Sequence, residues 1–449
     1  MCIHRQTKCM PCVVCTFLLK QYMAQHAVHN IINLRRLLLS VAMLVAGFAF
    51  CMAAPNKVLN TDILSLRVQV ESRPFSEPVI SLGGNEKVTV LFDCVGHVYN
   101  TFTCHLVHCD AKWNPSGDLS EYDYMRGFND MPITDYDISS GTTFQYTHYE
   151  QQYPNNDVEL LLSGNYMVQI KDQDNAVVAQ ACFYVLDSKV AVSGNISGNT
   201  DIDLNESHQQ LSYNVSWGSN AGIDSENELI SVVMQNGRTD NIVYNPEPDY
   251  IQNNSIEFVH NGQLIFSAGS PFRRFEVIDY YSLMRNVERI EYFEPYYHAT
   301  LPVDKSKRNY LYDQDQAGHY VVRSVNAQDS ELQADYMFTH FSLDVPYREG
   351  GNYYISGYLT NHSLSPEYRM KWDPESKMYT ATIPLKMGAY NYQYIWLPNN
   401  ADKGVTDNVE GNFWQTNNTY QIFVYHRPFG SRYDQLIGFS VVENNLDAK

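Results

Sequence analysis

The chain has 449 residues, which exceeds one ordinary hydrophobic core and predicts two to four domains. Aromatic residues make up 13% of it, with 34 Tyr and 20 Phe, so the composition favours β structure. Fifty acidic residues against 31 basic ones give a formal net charge of −19. Such a surface repels phosphate backbones, which argues against nucleic-acid binding and favours basic partners.

The N-terminus carries an export signal. Arg35 and Arg36 precede an apolar stretch over residues 37–54, a pattern typical of a signal peptide that ends near Ala53. An uncleaved membrane anchor is the alternative, because the stretch is just long enough to span a bilayer. Residues 1–53 are therefore predicted to be an upstream extension plus signal peptide. The remainder has 26 basic and 50 acidic residues, a net charge of −24.

Residues 54–189 are predicted to form an N-terminal β-sandwich with a long insertion. Alternating apolar and polar residues mark its strands, which are LRVQVES, KVTVLFDCV, TFTCHLVHC, NYMVQIKD and VVAQACFYVLD. Residues 108–153 are dense in aromatic and turn-forming residues and have no helical period. This pattern predicts a structured insertion rather than core.

Four cysteines belong to the exported part, and they are Cys94, Cys104, Cys109 and Cys182. An even number outside the cytosol permits disulfides, but buried free thiols in strands fit the spacing equally. Both interpretations stay open from the sequence.

Two further β domains follow. A Gly/Ser/Asn stretch over residues 193–200 is suited to a linker. Residues 190–330 form the predicted middle β domain, with strands LSYNVSW, ELISVVMQN, SIEFVH, QLIFSAG and RRFEVIDY. Residues 331–449 form the predicted C-terminal early-set-like β-sandwich, with strands YMFTHFSLDV, NYYISGYL, YTATIPL, YNYQYIWL, NTYQIFVYH and LIGFSVV. The predicted class is all-β, with three immunoglobulin-like or early-set-like β-sandwich domains in series.

Signatures of known chemistry are missing from the sequence. The motifs of hydrolases, kinases, dinucleotide-binding proteins and zinc proteases do not occur, so we predict no catalytic and no cofactor-binding residue. A glycosidase-type carboxylate pair leaves no linear trace and stays open.

Two segments superficially resemble metal sites. The Cys and His side chains of residues 104–109 alternate between the two faces of a strand and do not converge as zinc ligands. Residues 313–318 match part of a calcium loop, but a turn explains them as well. No metal site is therefore predicted.

Aromatic residues in the predicted C-terminal domain allow two interpretations. Tyr390, Tyr392 and Tyr394 alternate along one predicted strand, and exposed aromatics of sandwich modules that bind starch stack on sugar rings. Packing against the domain core explains the same alternation and is the interpretation that we favour.

Over most of the exported part, the chain resembles the type IX secretion system plug protein family. In the first domain the matching residues are His108-Cys109-Asp110-Ala111-Lys112-Trp113, Glu121-Tyr122, Gly127-Phe128, Ser139-Ser140, Tyr146, His148-Tyr149 and Pro154. Further along they are Gln235-Asn236-Gly237-Arg238, Asp240-Asn241, Phe272-Arg273-Arg274-Phe275, Tyr312 to Gly318, Gly357, Met370, Trp372-Asp373 and Leu385 to Tyr394.

The resemblance implies a non-enzymatic periplasmic protein. Members of the family cap the periplasmic mouth of the outer-membrane translocon, a β-barrel, and are thought to seal its idle pore. We therefore expect the translocon as partner, a location at the periplasmic side of the outer membrane, and no cofactor. The candidate interface residues are Trp113, Tyr122, Phe128 and Tyr149 in the insertion. A secreted carbohydrate-binding β-sandwich protein is the alternative.

Overall fold

The computed structural model describes residues 56–444, so the predicted signal peptide lies outside the described residues. Strands hold 47% of the residues and helices 5%, which confirms the all-β class. Each strand that the alternation predicts is present at its place. Residues 56–444 lie within one compact unit, and the count of three immunoglobulin-like domains stays a prediction.

The first twelve strands and the first helix end at Leu186. In chain order they are β1 (Lys57–Val58), β2 (Ile63–Val70), β3 (Val79–Ser81), β4 (Val88–Val95), β5 (Thr103–Cys109), α1 (Glu121–Tyr124), β6 (Met125–Gly127), β7 (Met131–Pro132), β8 (Asp135–Ile138), β9 (Tyr146–Tyr153), β10 (Val158–Leu160), β11 (Gly164–Lys171) and β12 (Val177–Leu186).

These strands build two facing sheets, which we call the first sheet pair. One sheet has the order β1-β12-β11-β5-β7 with β3 beside β12, the other has the order β2-β4-β9-β8, and β6 pairs with β10 alone. Alternate side chains point between the sheets, where Phe92, Tyr149, Tyr166 and Phe183 are fully buried. The predicted insertion is not wholly peripheral, because β9 pairs with β4 at eight positions and supplies core residues.

The remaining elements extend to Glu443. In chain order they are β13 (Val190–Ser197), β14 (His208–Trp217), β15 (Leu229–Gln235), β16 (Val243–Tyr244), β17 (Tyr250–Gln252), β18 (Ser255–Phe258), β19 (Ile265–Ser267), β20 (Arg273–Val277), β21 (Arg289–Phe293), β22 (Tyr296–Thr300), β23 (Asp304–Lys305), β24 (Tyr320–Val322), α2 (Ser330–Gln333), β25 (Tyr336–Asp344), β26 (Gly351–Ser356), β27 (Lys371–Asp373), β28 (Met378–Lys386), β29 (Gly388–Pro398), β30 (Thr419–His426) and β31 (Gln435–Glu443). Short 3-10 helices span Glu226–Glu228, Gly262–Leu264, Tyr358–Thr360 and Pro366–Tyr368.

The second sheet pair joins segments that lie far apart in the sequence. Its sheets have the orders β13-β14-β18-β17, with β19 beside β14, and β16-β15-β30-β31. Strand β15 pairs with β30 from Leu229 opposite His426 to Gln235 opposite Tyr420. The hairpin of β30 and β31 thus completes a sheet of the predicted middle domain. The predicted domain boundary at residue 330 does not coincide with a boundary between sheets.

The segment predicted as a linker begins as a strand. Residues 190–197 form β13, which pairs with β14 at eight positions. A Cβ on Gly194 would lie 2.9 Å from the side chain of Val442 and 3.1 Å from the carbonyl oxygen of Ser212. The small residue therefore permits close packing, and the linker prediction is wrong for this part because composition alone does not distinguish the two roles.

The third sheet pair is organised around β29. One sheet has the order β20-β29-β24, with β26 pairing further along β29, and the other has the order β21-β22-β25-β28-β27, with β23 beside β25. Phe275, Phe341, Tyr392 and Trp396 are buried between the sheets. Because the 11-residue β29 pairs with three strands along its length, it holds one whole sheet together.

An apolar layer joins the first and second sheet pairs. Tyr184 of β12 stacks on Phe423 of β30 with ring centroids 4.4 Å apart. Trp113, Cys182 and Met234 are buried in the same cluster. The outer face of the first sheet pair is therefore itself a core face.

Charged and aromatic groups join the first and third sheet pairs. Lys386 Nζ lies 2.7 Å from Asp93 Oδ2, and neither side chain is more than 1% exposed. Asp93 also accepts hydrogen bonds from His148 Nδ1 at 2.6 Å and from the Tyr336 hydroxyl at 2.5 Å. The Lys386 ammonium lies 4.3 Å from the ring centroid of Tyr146. A buried ion pair needs such partners because removing both charges from water costs several kcal/mol.

The network determines the charge of Asp93 and of His148 by shifting their pKa values. Burial alone would raise the pKa of Asp93, but Lys386 and the hydrogen bond from His148 lower it to about 2. Burial alone would lower the pKa of His148, but the hydrogen bonds to Asp93 and Glu150 raise it from 6.5 to about 9. Both groups are therefore charged at neutral pH.

Replacing Lys386 by Met is expected to lower the free energy of unfolding by about 3–5 kcal/mol, because the buried Asp93 carboxylate loses one of its two cationic partners and keeps only His148. Lys305, whose ion pair with Asp344 is exposed on both sides, provides the control, and Lys305→Met should cost at most about 1 kcal/mol. Denaturant unfolding followed by tryptophan fluorescence measures both. Equal costs would contradict the structural role of the buried pair.

Stability should also depend on pH through His148. Its folded-state pKa is raised, so its contribution is complete below pH 6.5 and is lost as the pH rises through about 9. We expect the urea midpoint to fall between pH 6.5 and 9.5 in the wild type and to fall less in His148→Gln. Parallel profiles of the two proteins would show that His148 is not the titrating group.

Candidate partner interface

The insertion places a short helix and a glycine turn beside the first sheet pair. The Asp123 carboxylate at the end of α1 accepts hydrogen bonds from the backbone N–H and the hydroxyl of Ser120, at 2.7 and 2.8 Å. Gly127 has a φ of +118°, and a Cβ there would lie 1.8 Å from the carbonyl oxygen of Asp157. Only glycine therefore lets β6 pair with β10 and present the next residue, Phe128.

Two of the four predicted interface residues are on the surface. The side chain of Tyr122 is 85% exposed and that of Phe128 is 71% exposed. Both line one shallow depression, together with Glu121, Asn129 and Asp130. The structure thus brings Tyr122 and Phe128 together as an aromatic surface with an acidic border.

The other two predicted interface residues are buried. Trp113 is 7% exposed and packs edge-on against Tyr184, with centroids 5.1 Å apart. Tyr149 is 0% exposed and stacks on Phe92 at 5.1 Å, and its hydroxyl donates to the carbonyl oxygen of Asn100. Neither side chain offers a surface to a partner in this structure. Their role in it is to support the insertion from below.

The His residues of β5 form hydrogen bonds with other groups of the protein. His105 lies 3.0 Å from the Asp130 carboxylate, and both ring nitrogens of His108 have partners, the Ser116 hydroxyl and the Ser163 carbonyl oxygen. Within residues 56–444 no three His, Cys, Asp or Glu side chains come together in a way that could hold a metal ion.

The cysteines are buried. Cys94, Cys104 and Cys109 are free thiols, and burial raises the pKa of Cys104 and Cys109 to about 12. Cys182 is buried in the layer between the first and second sheet pairs. The free thiols are therefore poor nucleophiles at neutral pH.

In the segment that resembles part of a calcium loop, the carboxylates bind arginine side chains and backbone N–H groups of the protein. Asp313 forms ion pairs with Arg274 and, at 3.1 Å, with Arg285. Asp315 accepts hydrogen bonds from the backbone N–H groups of Phe272 and Ala317. The oxygens are thus engaged in fixing a loop against β20.

The tyrosines of β29 pack in the core of the third sheet pair. Tyr390, Tyr392 and Tyr394 are between 1% and 3% exposed, and the last two hydroxyls donate to Asp304 at 2.7 and 2.8 Å. The packing interpretation is confirmed. These residues provide no platform for a sugar ring.

Sequence reasoning missed two strongly exposed aromatic residues, Tyr281 and Phe429. Phe429 is fully exposed at the tip of the hairpin between β30 and β31. Its position between Pro428 and Gly430, a turn sequence that interrupts two apolar strands, was the available signal.

A type 9 secretion system plug protein 1st domain family model matches residues 63–187, which is the segment from β2 to β12 with α1 inside it. Residues 63–187 belong to the type 9 secretion system plug protein 1st domain family. A crystal structure of a hypothetical protein from Parabacteroides merdae has 39% sequence identity and a TM-score of 0.85, over 87% of this chain and 99% of that one. The likeness therefore extends over all three sheet pairs.

A crystal structure of a putative membrane anchored protein from Corynebacterium diphtheriae has 9% sequence identity and a TM-score of 0.13, over 84% of this chain and 91% of that chain. None of the curated proteins compared with the chain matches it. None of the helices within residues 56–444 has the length and apolar character that crossing a membrane requires.

Several residues that match the family pattern make contacts that stabilise the fold. Arg238 makes a bidentate ion pair with Asp240, which in turn accepts from the N–H of Gly404 in the third block. Arg273 pairs with the buried Glu410 at 3.0 Å. These contacts fix the blocks against each other and need no ligand to explain them.

The burial of Trp113 generates a prediction about its role. Trp113→Ala is expected to lower the free energy of unfolding by about 3–5 kcal/mol, because it leaves a cavity under the insertion. Tyr122→Ala, at an exposed position, should change it by about 0.5 kcal/mol or less. Chemical denaturation compares the two variants. A small cost for Trp113→Ala would mean that the insertion is not braced as described.

Proposed function

We propose that this protein is a non-enzymatic component of the type 9 secretion system that binds the periplasmic face of the outer-membrane translocon and seals its idle pore. The observation that carries the proposal is the match of the plug-protein family model to residues 63–187. Family membership suggests a role in this secretion system, a non-enzymatic one, at the periplasmic side of the outer membrane.

The exposed aromatic surface supports a binding role. Tyr122 and Phe128 lie on short elements that hydrogen bonds and a glycine turn hold in place. A preformed surface loses little conformational entropy on association, and exposed aromatic side chains supply much of the affinity at protein interfaces. The insertion therefore has the physical properties of a docking element.

The rigid connection of the sheet pairs supports a sealing role. A plug has to keep its shape against a pore, and here three sheet pairs are joined by an apolar layer and by a buried ion pair. Export to the periplasm agrees with the predicted signal peptide, which ends near Ala53.

The carbohydrate-binding alternative lacks the exposed tyrosines that it requires. It rested on the alternating tyrosines of β29, and these are buried. We propose no second function.

The proposal is tested by co-purification. Affinity-tagged protein, produced in a native host that lacks its own copy, is recovered from outer membranes solubilised in mild detergent. Quantitative mass spectrometry then measures the translocon barrel bound per plug. The wild type should retain the barrel, and Tyr122→Ala combined with Phe128→Ala should retain about tenfold less, because two exposed anchors are lost.

Tyr281→Ala is the matched control, because Tyr281 is 87% exposed in the segment between β20 and β21 and does not line the depression that contains Tyr122 and Phe128. It should retain the barrel like the wild type. Circular dichroism confirms that each variant is folded. A wild type that recovers no barrel would refute the proposed function, and unchanged recovery by the double variant would refute the role of the insertion.

A further inference from the structure

Three cationic side chains without an acidic partner line one cleft of the third sheet pair. They are Arg348, Arg369 and Lys371, and one carboxylate, Glu349, lines the cleft with them. Within residues 56–444, none of the three cations takes part in an ion pair. The lining has a formal charge of +2, whereas the exported chain has a net charge of −24. Such a cleft attracts a short anionic group, while the acidic protein as a whole repels a long polyanion such as DNA or RNA.

Contacts within the protein fix the walls of the cleft. The N–H of Arg348 donates to the Tyr379 hydroxyl at 2.9 Å, and the N–H of Asn399 donates to the carbonyl oxygen of Gly350 at 2.9 Å. The Arg348 guanidinium lies 4.4 Å from the ring centroid of Trp396, a contact that restricts its orientation. The cleft has a volume of about 470 Å³, which lies in the range of small-molecule sites. It is therefore a preformed cavity of suitable size for a small ligand.

Two aromatic side chains line the same cleft. Tyr347 is 57% exposed, and its ring centroid lies 5.4 Å from that of the half-buried Trp372. Trp372 in turn packs edge-on against Tyr379 at 5.0 Å, which holds it in place. The C–H groups on one face of a sugar ring carry small positive charges, which the negative face of an aromatic ring attracts. The cleft thus combines groups that bind an anion with groups that bind a sugar ring.

The rest of the lining distinguishes a saccharide from a peptide. Met370 is the only aliphatic side chain among the residues that line the cleft, and it is 3% exposed. A peptide binds mainly through apolar side chains that it buries in pockets, and this cleft offers none. The amide side chains of Asn352 and Asn399 belong to the lining and can form hydrogen bonds with sugar hydroxyls. The lining therefore favours a saccharide.

We propose that this cleft binds a short anionic saccharide. Arg348, Arg369 and Lys371 hold its carboxylate or phosphate group, and Tyr347 and Trp372 contact its ring. The site is separate from the buried tyrosines of β29 on which the carbohydrate-binding alternative rested. It adds a ligand to the proposed function and does not depend on that function.

Isothermal titration calorimetry on the full exported chain tests the proposal. The anionic probes are a galacturonate tetrasaccharide, which carries carboxylates, and glucose 6-phosphate, which carries a phosphate. A galactose tetrasaccharide and glucose are their uncharged counterparts. We expect at least one anionic probe to bind about tenfold or more tightly than its counterpart, because arginine forms strong charge-assisted hydrogen bonds with both groups. Raising the salt concentration from 50 to 500 mM should weaken this binding, because exposed charges are screened.

Variants of the cleft locate the binding. Arg369→Gln combined with Lys371→Gln should weaken binding about tenfold, because the anion loses two cationic partners. Tyr347→Ala should weaken it about threefold, because a contact surface for the ring is removed. Lys87→Gln combined with Lys112→Gln is the matched control, since it changes the net charge equally at two exposed positions outside the cleft. Circular dichroism confirms that each variant is folded.

Several outcomes would overturn the proposal. Equal affinity for the charged and uncharged sugars, or binding of none of them, would refute the site. Unchanged affinity of the Arg369 and Lys371 double variant would do the same, and so would an equal loss in the lysine control. Tetraglutamate represents an acidic peptide, and binding as tight as that of the galacturonate tetrasaccharide would refute the saccharide. The translocon takes no part in these measurements, so their failure leaves the proposed function as it stands.

Discussion

The buried ion pair between Lys386 and Asp93 is the constraint on which the assembly of the sheet pairs depends. Lys386 comes from β28 of the third sheet pair and Asp93 from β4 of the first, and water reaches neither. Burial of two charges is tolerable only when each has several partners, and here His148 and Tyr336 supply the remaining ones for the carboxylate. Moving the pairs apart by even a few ångströms would leave these charges unsolvated, so the junction holds one geometry.

Local pattern predicted the strands well, because side-chain alternation is a property of the strand itself. The same alternation did not predict which strands pair with each other. Strands β15 and β30 have ordinary apolar sequences. Neither sequence indicates that its pairing partner lies almost 200 residues away. Composition also misled at residues 193–197, where Gly and Ser belong to a closely packed strand and not to a linker.

The candidate site was predicted as a segment but not residue by residue. Aromatic density and turn residues marked residues 108–153, where Tyr122 and Phe128 are exposed. Trp113 belongs to the same segment but turns inward against Tyr184 of β12, a contact across the sheet that the sequence does not encode locally. Tyr149 is buried because β9 lies inside a sheet. Phe429 was missed because a turn sequence such as Pro428 to Gly430 places a residue in a loop without indicating whether its side chain packs.

The pairing of β15 with β30 also has a consequence for the order in which the protein forms. A ribosome adds roughly 5–20 residues per second, so β15 exists for on the order of 10 s or more before its partner strand is made. During that time the apolar edge and face of β15 have no native cover, since Ile422, Val424 and Ile437 are still absent. A chaperone that shields exposed strands until the C-terminus arrives would protect this chain from aggregation.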